Sequence, residues 1–133
     1  MSDTQDTKIF TISELAAQLN LSPSTIRFYE EKGLISPGRT PGNQRVYTRK
    51  DRARLRLVLR GKYFGATLEN IAEMIGHADG DMNEVSQIEK SLEYIDSKFE
   101  ELQKQKEELA LFESDLKNLK DNLSGRLTDL KKK

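Results

Sequence analysis

The sequence predicts a mainly α protein: a small helical domain carrying one hairpin, followed by a single long amphipathic helix. Three observations carry that prediction. Hydroxyl residues suited to helix N-termini stand before short apolar stripes at Thr11, Ser22, Thr48 and Thr67. A turn cluster, Pro41-Gly42-Asn43, separates short apolar stretches between the second and third stripes. From Val85 onward, apolar residues recur at alternating intervals of three and four.

Residues 1–7 are polar and read as disordered. The stretch TISE then pairs Thr11 with Glu14 at capping-box spacing, and Leu15, Ala16 and Leu19 form the stripe of a helix over 12–19. Asn20-Leu21 interrupts it, Asn20 serving the turn by tolerating positive φ. Ser22 caps a second helix over 23–31 with Pro23 at its first position, and Gly33 supplies a left-handed stop. Two short helices joined by so tight a turn form a helix-turn-helix. In SPGRTPGNQRV, the turn residues predict a hairpin, or wing, with Leu34-Ile35 pairing near Val46-Tyr47.

Thr48, with Asp51 three residues on, caps a third helix over 49–63 whose inner side carries Leu55, Val58 and Leu59. Thr67 caps a fourth over about 68–76, with Leu68, Ile71, Met74 and Ile75 inward and Gly76 closing it. This domain spans 8–76, and residues 77–83 read as a polar hinge. Val85, Ile88, Leu92, Ile95, Phe99 and Leu102 then form a heptad seam. Lys106 occupies the next expected position, and the pattern resumes at Leu109 and Phe112, a local phase change, before Leu116, Leu119 and Leu123. A helix over 84–123 has nothing within this chain large enough to cover its stripe, so it is expected to pair with a second copy. Ser124-Gly125 is expected to fray its end, leaving 124–133 as a flexible basic tail.

Charge divides the chain in the same place. The formal net charge of zero conceals a concentration between Arg27 and Lys62, where 11 basic residues face only 3 acids. Such a footprint suits a polyanion, although a solvated basic face gives the same count. The absence of cysteine excludes disulfides and thiolate metal ligands. No apolar run is long enough for a membrane span, and MSDTQDTK lacks the layout of a secretion signal, so a cytoplasmic protein without membrane contact is expected.

Within STIRFYEEKGLI, Ile26 falls on the face that packs inward, leaving Ser24 and Arg27 outward on the second helix of the pair. That helix enters the DNA major groove in helix-turn-helix proteins, where an arginine forks onto guanine or clamps a phosphate. The alternative for Arg27 is an ion pair with Glu30 or Glu31. Tyr29 suits a phosphate contact through its hydroxyl, and a core position suits it equally. Arg39 and Arg45 flank the wing turn, where a basic tip lies along a backbone or in a minor groove. Arg60 and Lys62, at the end of the third helix, are candidates for further phosphate contact, with Lys62-Tyr63-Phe64-Gly65 as a second small wing. His77 with Asp79 and Asp81 is better read as a capping or exposed histidine than as a metal site. No catalytic constellation is present, and neither metal nor cofactor is expected.

With these residues in view, the chain resembles the MerR family of transcriptional regulators over residues 8–76. The resemblance rests on TISELAAQLNLSPSTIRFYEEKGLISPGR and NQRVYTRKDRARLRLVLRGKYFGATLENIAEMI. It implies a homodimer, joined by an antiparallel coiled coil, on a pseudo-palindromic promoter operator whose overlong spacer the protein kinks and untwists so that RNA polymerase can engage. It carries DNA contact onto Ser24, Arg27 and Tyr29 in the second helix, Arg45 and Tyr47 in the wing, and Arg60 beyond it. Where many relatives carry GYR-x-Y, this chain reads Gly42-Asn43-Gln44-Arg45-Val46-Tyr47. Metal-sensing and redox-sensing members use cysteines, which are absent, and drug-binding members add an effector domain for which ten residues after Leu123 leave no room. The segment DRARLRLVLRGKYFGATL is most similar to the branch controlling branched-chain amino-acid and acyl-CoA catabolism, which leaves place for a small-molecule effector. Two other classes fit parts of the pattern: an adaptor working through its coiled coil, and a small enzyme built on His77.

Overall fold

The computed structural model describes residues 8–133, so the disorder expected for 1–7 lies outside the described residues. The chain divides into two units, one ending at Leu92 and the other spanning Glu93–Lys133. The first unit begins with β1 (Ile9–Phe10), α1 (Ile12–Leu19) and α2 (Pro23–Glu31). It continues with β2 (Gly38–Arg39), β3 (Arg45–Thr48), α3 (Arg49–Tyr63) and α4 (Leu68–Ile75). The final helix, α5 (Glu84–Lys131), starts in the first unit and supplies almost all of the second.

Local chemistry sets the helix ends. Thr11 and Glu14 close the capping box expected of them, as do Thr48 with Asp51 and Thr67 with Asn70. Ser22 Oγ accepts the amide of Thr25 at 3.1 Å, and Pro23 needs no partner at the first helical position. Asn20 sits in the left-handed region at φ 55°, which is how a turn lacking glycine joins α1 to α2. Asn83 starts α5, its side-chain oxygen accepting from Ser86 N at 2.8 Å.

The expected hairpin forms between β2 and β3, with a different register and a third strand beside it. The sheet order is β1-β3-β2, all antiparallel, with Phe10 opposite Tyr47 and Gly38 opposite Val46. Leu34 and Ile35, expected as strand partners of Val46-Tyr47, instead belong to an irregular segment whose side chains are fully buried. An apolar pair beside a turn looks the same in sequence whether it forms a ladder or plugs a core. The strand nearest the N-terminus, only two residues long, carries too short a pattern to be read in advance.

The core of this unit joins Leu15 of α1, Ile26 of α2, Leu34, Ile35, Tyr47 of β3, Leu55 and Val58 of α3, and Ile71 of α4. Leu59, Leu68 and Met74, expected inward, are half-buried at its margin. Helices α3 and α4 come close enough that a Cβ on Gly61 would stand 2.7 Å from Ile71 Cγ1, so this helical position must stay small.

Two charged residues are buried beside those apolar ones. Asp51 accepts from Thr48 N at 2.9 Å and from Ser36 N at 3.4 Å. Arg54 donates through Nε to the Leu34 carbonyl at 2.7 Å, through one terminal nitrogen to Ile75 at 3.3 Å, and through the other to Gly76. Burial lowers the pKa of Arg54 and the nearby Asp51 carboxylate opposes that shift. Three backbone acceptors supply the hydrogen bonding that a buried cation requires. The amide of Gln87 in α5 donates to the same Ile75 carbonyl at 2.9 Å.

Helix α5 does not stop where Ser124-Gly125 suggested. It runs 48 residues to Lys131, so 124–131 are helical rather than a loose tail. A glycine inside a helix costs only about 1 kcal/mol, and Leu123, Leu127 and Leu130 carry the apolar stripe past it. At ~1.5 Å per residue this helix is roughly 72 Å long. None of its residues is buried, and the stripe from Val85 to Leu130 lies exposed.

Candidate nucleic-acid interface

Helix α2 presents two faces, as its sequence required. Ile26 is fully buried and Tyr29 nearly so, while Ser24 is exposed and Arg27 is half-exposed beside it. Arg27 donates to Ser24 Oγ at 3.5 Å, a weak contact that leaves most of the guanidinium's donors uncommitted. Neither Glu30 nor Glu31 forms an ion pair with Arg27. Phe28 is exposed at the edge, its ring 5.9 Å from that of Tyr29 and within reach of Lys32 Nζ.

Glu30 turns instead toward the wing. Its Oε1 accepts from Arg45 Nε at 2.7 Å and its Oε2 lies 4.0 Å from a terminal nitrogen of Arg39. Arg39 also donates to the Asn43 carbonyl at 3.3 Å, across a turn in which Asn43 takes φ 65°. The Glu30 carboxylate holds the Arg45 pKa above its ordinary value, chiefly through that hydrogen bond. One acid thus brings the two wing arginines to the helix that carries Arg27.

Tyr47 is corrected by its position. It has no exposed surface, and its hydroxyl finds no hydrogen-bond partner among the described residues. A direct DNA contact does not fit that burial. Of the two roles weighed for Tyr29, its burial supports the core. Burial raises the pKa of both tyrosines; for Tyr47 the nearby Glu30 adds to the effect, and Arg45 and Arg27 oppose it.

Arg60 and Lys62 are exposed on the last turns of α3. Among the described residues, no side-chain hydrogen bond or ion pair links them to α2 or the wing. The expected second wing is not a hairpin. Lys62 and Tyr63 end the helix, Phe64 caps it and Gly65 turns the chain at φ 83°. Tyr63 and Phe64 stack edge to face at 5.1 Å on an exposed corner. The arginine line farther back on α3 is engaged at Arg52, which donates to Gln18 at 2.9 Å and lies over the Phe10 ring.

Sequence reading missed two residues. Arg54 shares the inward side of α3 with Leu55 and Val58, a periodicity that would have flagged it within the row of arginines. Glu30 carries no such signal, because its partner Arg45 lies fifteen residues away.

Residues 10–77 match the family model described as MerR HTH family regulatory protein, and residues 52–119 match that described as MerR, DNA binding. The mercuric resistance operon regulatory protein of Bacillus cereus is 33% identical over 113 residues, covering 84% of this chain and 83% of that one. The chain belongs to the MerR family of DNA-binding transcriptional regulators. An uncharacterized HTH-type transcriptional regulator of Synechocystis sp. is 40% identical over 68 residues, half of each chain. Among solved structures, HiNmlR, a MerR-family regulator lacking the sensor domain and bound to promoter DNA, aligns with a TM-score of 0.58 and 26% identity. That alignment covers 82% of this chain and 88% of HiNmlR. These MerR-family relatives are transcriptional regulators rather than enzymes, and no described helix is long and apolar enough to cross a membrane.

Proposed function

We propose that this MerR-family protein binds a pseudo-palindromic promoter operator as a homodimer and distorts the spacer between the two RNA polymerase elements. The observation that carries the reading is the arrangement on α2. An outward Arg27 stands on the reading helix, and Glu30 on the same helix holds Arg45 and Arg39 of the wing. Arg27 is the candidate for base contact, and Ser24, Arg39, Arg45, Arg60 and Lys62 for phosphate contact. Pairing is assigned to the stripe of Val85, Ile88, Leu92, Ile95, Phe99, Leu102 and Leu109, in an antiparallel coiled coil whose exposed leucines need a partner. Two reading helices so joined would meet successive turns of one duplex, about 34 Å apart.

The protein is read as acting in the cytoplasm, with RNA polymerase engaged at the same promoter and with place for a small-molecule effector. Without cysteine, that effector is not a metal held by thiolates. The segment DRARLRLVLRGKYFGATL supports the branch governing branched-chain amino-acid and acyl-CoA catabolism.

Mapping bound genomic sites and titrating salt against the recovered duplex tests this. The expected result is a palindrome in a promoter spacer, with log affinity falling by ~0.9 per neutralised phosphate for each unit of log salt. Equal affinity for every duplex would refute it. The genes beside the mapped sites test the branch separately.

A further inference from the structure

We propose that Glu30 is a positioning residue of the DNA interface: it sets the wing arginines relative to Arg27 and restrains their grip on arbitrary phosphates. The inference rests on the regulator reading above. Arg45 meets Glu30 through Nε, at 2.7 Å, and that single bond fixes the plane of the guanidinium. The two terminal nitrogens, with four of the five N–H donors, have no partner among the described residues and remain available as a fork for a phosphate. Arg39 is oriented from two directions, by Glu30 Oε2 at 4.0 Å and by the Asn43 carbonyl at 3.3 Å.

Charge argues that this is more than packing. Only three acids lie between Arg27 and Lys62. Asp51 is buried in a helix cap, and Glu31 is exposed, forms no ion pair among the described residues and acts on Arg45 only weakly through space, so Glu30 is the acid that bonds the wing arginines to α2. A carboxylate so near a phosphate-binding surface repels DNA of any sequence. Its removal should therefore strengthen non-specific binding while loosening the geometry that makes binding selective. A residue needed only for folding would weaken both.

The probes are the duplex recovered by selecting a random library with the wild-type full-length chain, and a shuffled duplex of the same composition. Anisotropy titrations at several salt concentrations compare wild type, Glu30→Gln, Arg45→Ala and the double variant, with thermal melts as the folding control. We expect Glu30→Gln to bind the shuffled duplex more tightly and to lose roughly fivefold in the selected-to-shuffled ratio, with Arg45→Ala adding little further loss of ratio in that background. An unchanged ratio, or an equal loss on both duplexes, overturns the proposal. If Glu30→Gln does not fold, Arg45→Lys keeps the charge and removes the planar fork, and the ratio must then fall while shuffled binding is retained. A wild-type selection with no preferred duplex overturns the regulator reading and this inference with it. A preference retained intact in Glu30→Gln overturns the inference alone.

Discussion

Arg27 and Tyr47 show how two residues expected to act alike separate once their surroundings are fixed. Arg27 stands half-exposed with most of its donors free, so Arg27→Ala should weaken operator binding more than binding to random duplex. A base contact of this kind carries ~1–3 kcal/mol of discrimination, and anisotropy on the two duplexes measures it. Tyr47 lies wholly inside, its hydroxyl without a partner among the described residues. Tyr47→Phe should raise stability by about 1 kcal/mol, because an unsatisfied buried polar atom is removed, and should leave operator affinity unchanged. The same residue gives a pH signature. Burial raises its folded pKa above the ordinary 10.0 by penalising the phenolate, so the fold bears no ionisation penalty below that pH and loses stability as pH rises through the folded value. Melting temperatures of wild type should fall from about pH 10 upward, and less steeply in Tyr47→Phe, with Tyr29 accounting for part of the remainder.

At the scale of elements, the helix starts were legible because capping is local chemistry. Thr11, Ser22, Thr48 and Thr67 each satisfy an amide three residues on, within a span that the sequence displays directly. The wing turn at Pro41-Gly42-Asn43 was legible in the same way, whereas the strand register and β1 were not: Ile9–Phe10 pairs with residues far along the chain, and Gly38–Arg39 is too short to carry a pattern. The end of α5 was misread for a related reason: Ser124-Gly125 is a local stop signal, yet a continuing apolar stripe runs past it. For the interface, outward Ser24 and Arg27 followed from helical spacing, whereas the Glu30–Arg45 bond exists only because the fold brings α2 to the wing. Packing between elements makes its own prediction. Gly61→Ala would force a methyl against Ile71, and overpacking of this kind costs about 1–3 kcal/mol in chemical denaturation.

For the whole molecule, the decisive quantity is the apolar stripe of α5, which extends to Leu127 and Leu130. Ile95→Asp places a charge in its seam and should shift sedimentation to a monomer, with operator affinity falling because one half-site alone holds weakly. A dimer that persists at the same concentration would mean that the seam lies elsewhere on the helix. The arginine buried in α3 bears on the other end of that helix. Arg54 fastens the segment leaving α2 to the close of α4, and Gln87 of α5 shares the Ile75 oxygen with it. That oxygen is a common tether, so the root of α5 and the chain leaving α2 cannot shift independently without breaking one of the hydrogen bonds that converge on it or on Arg54.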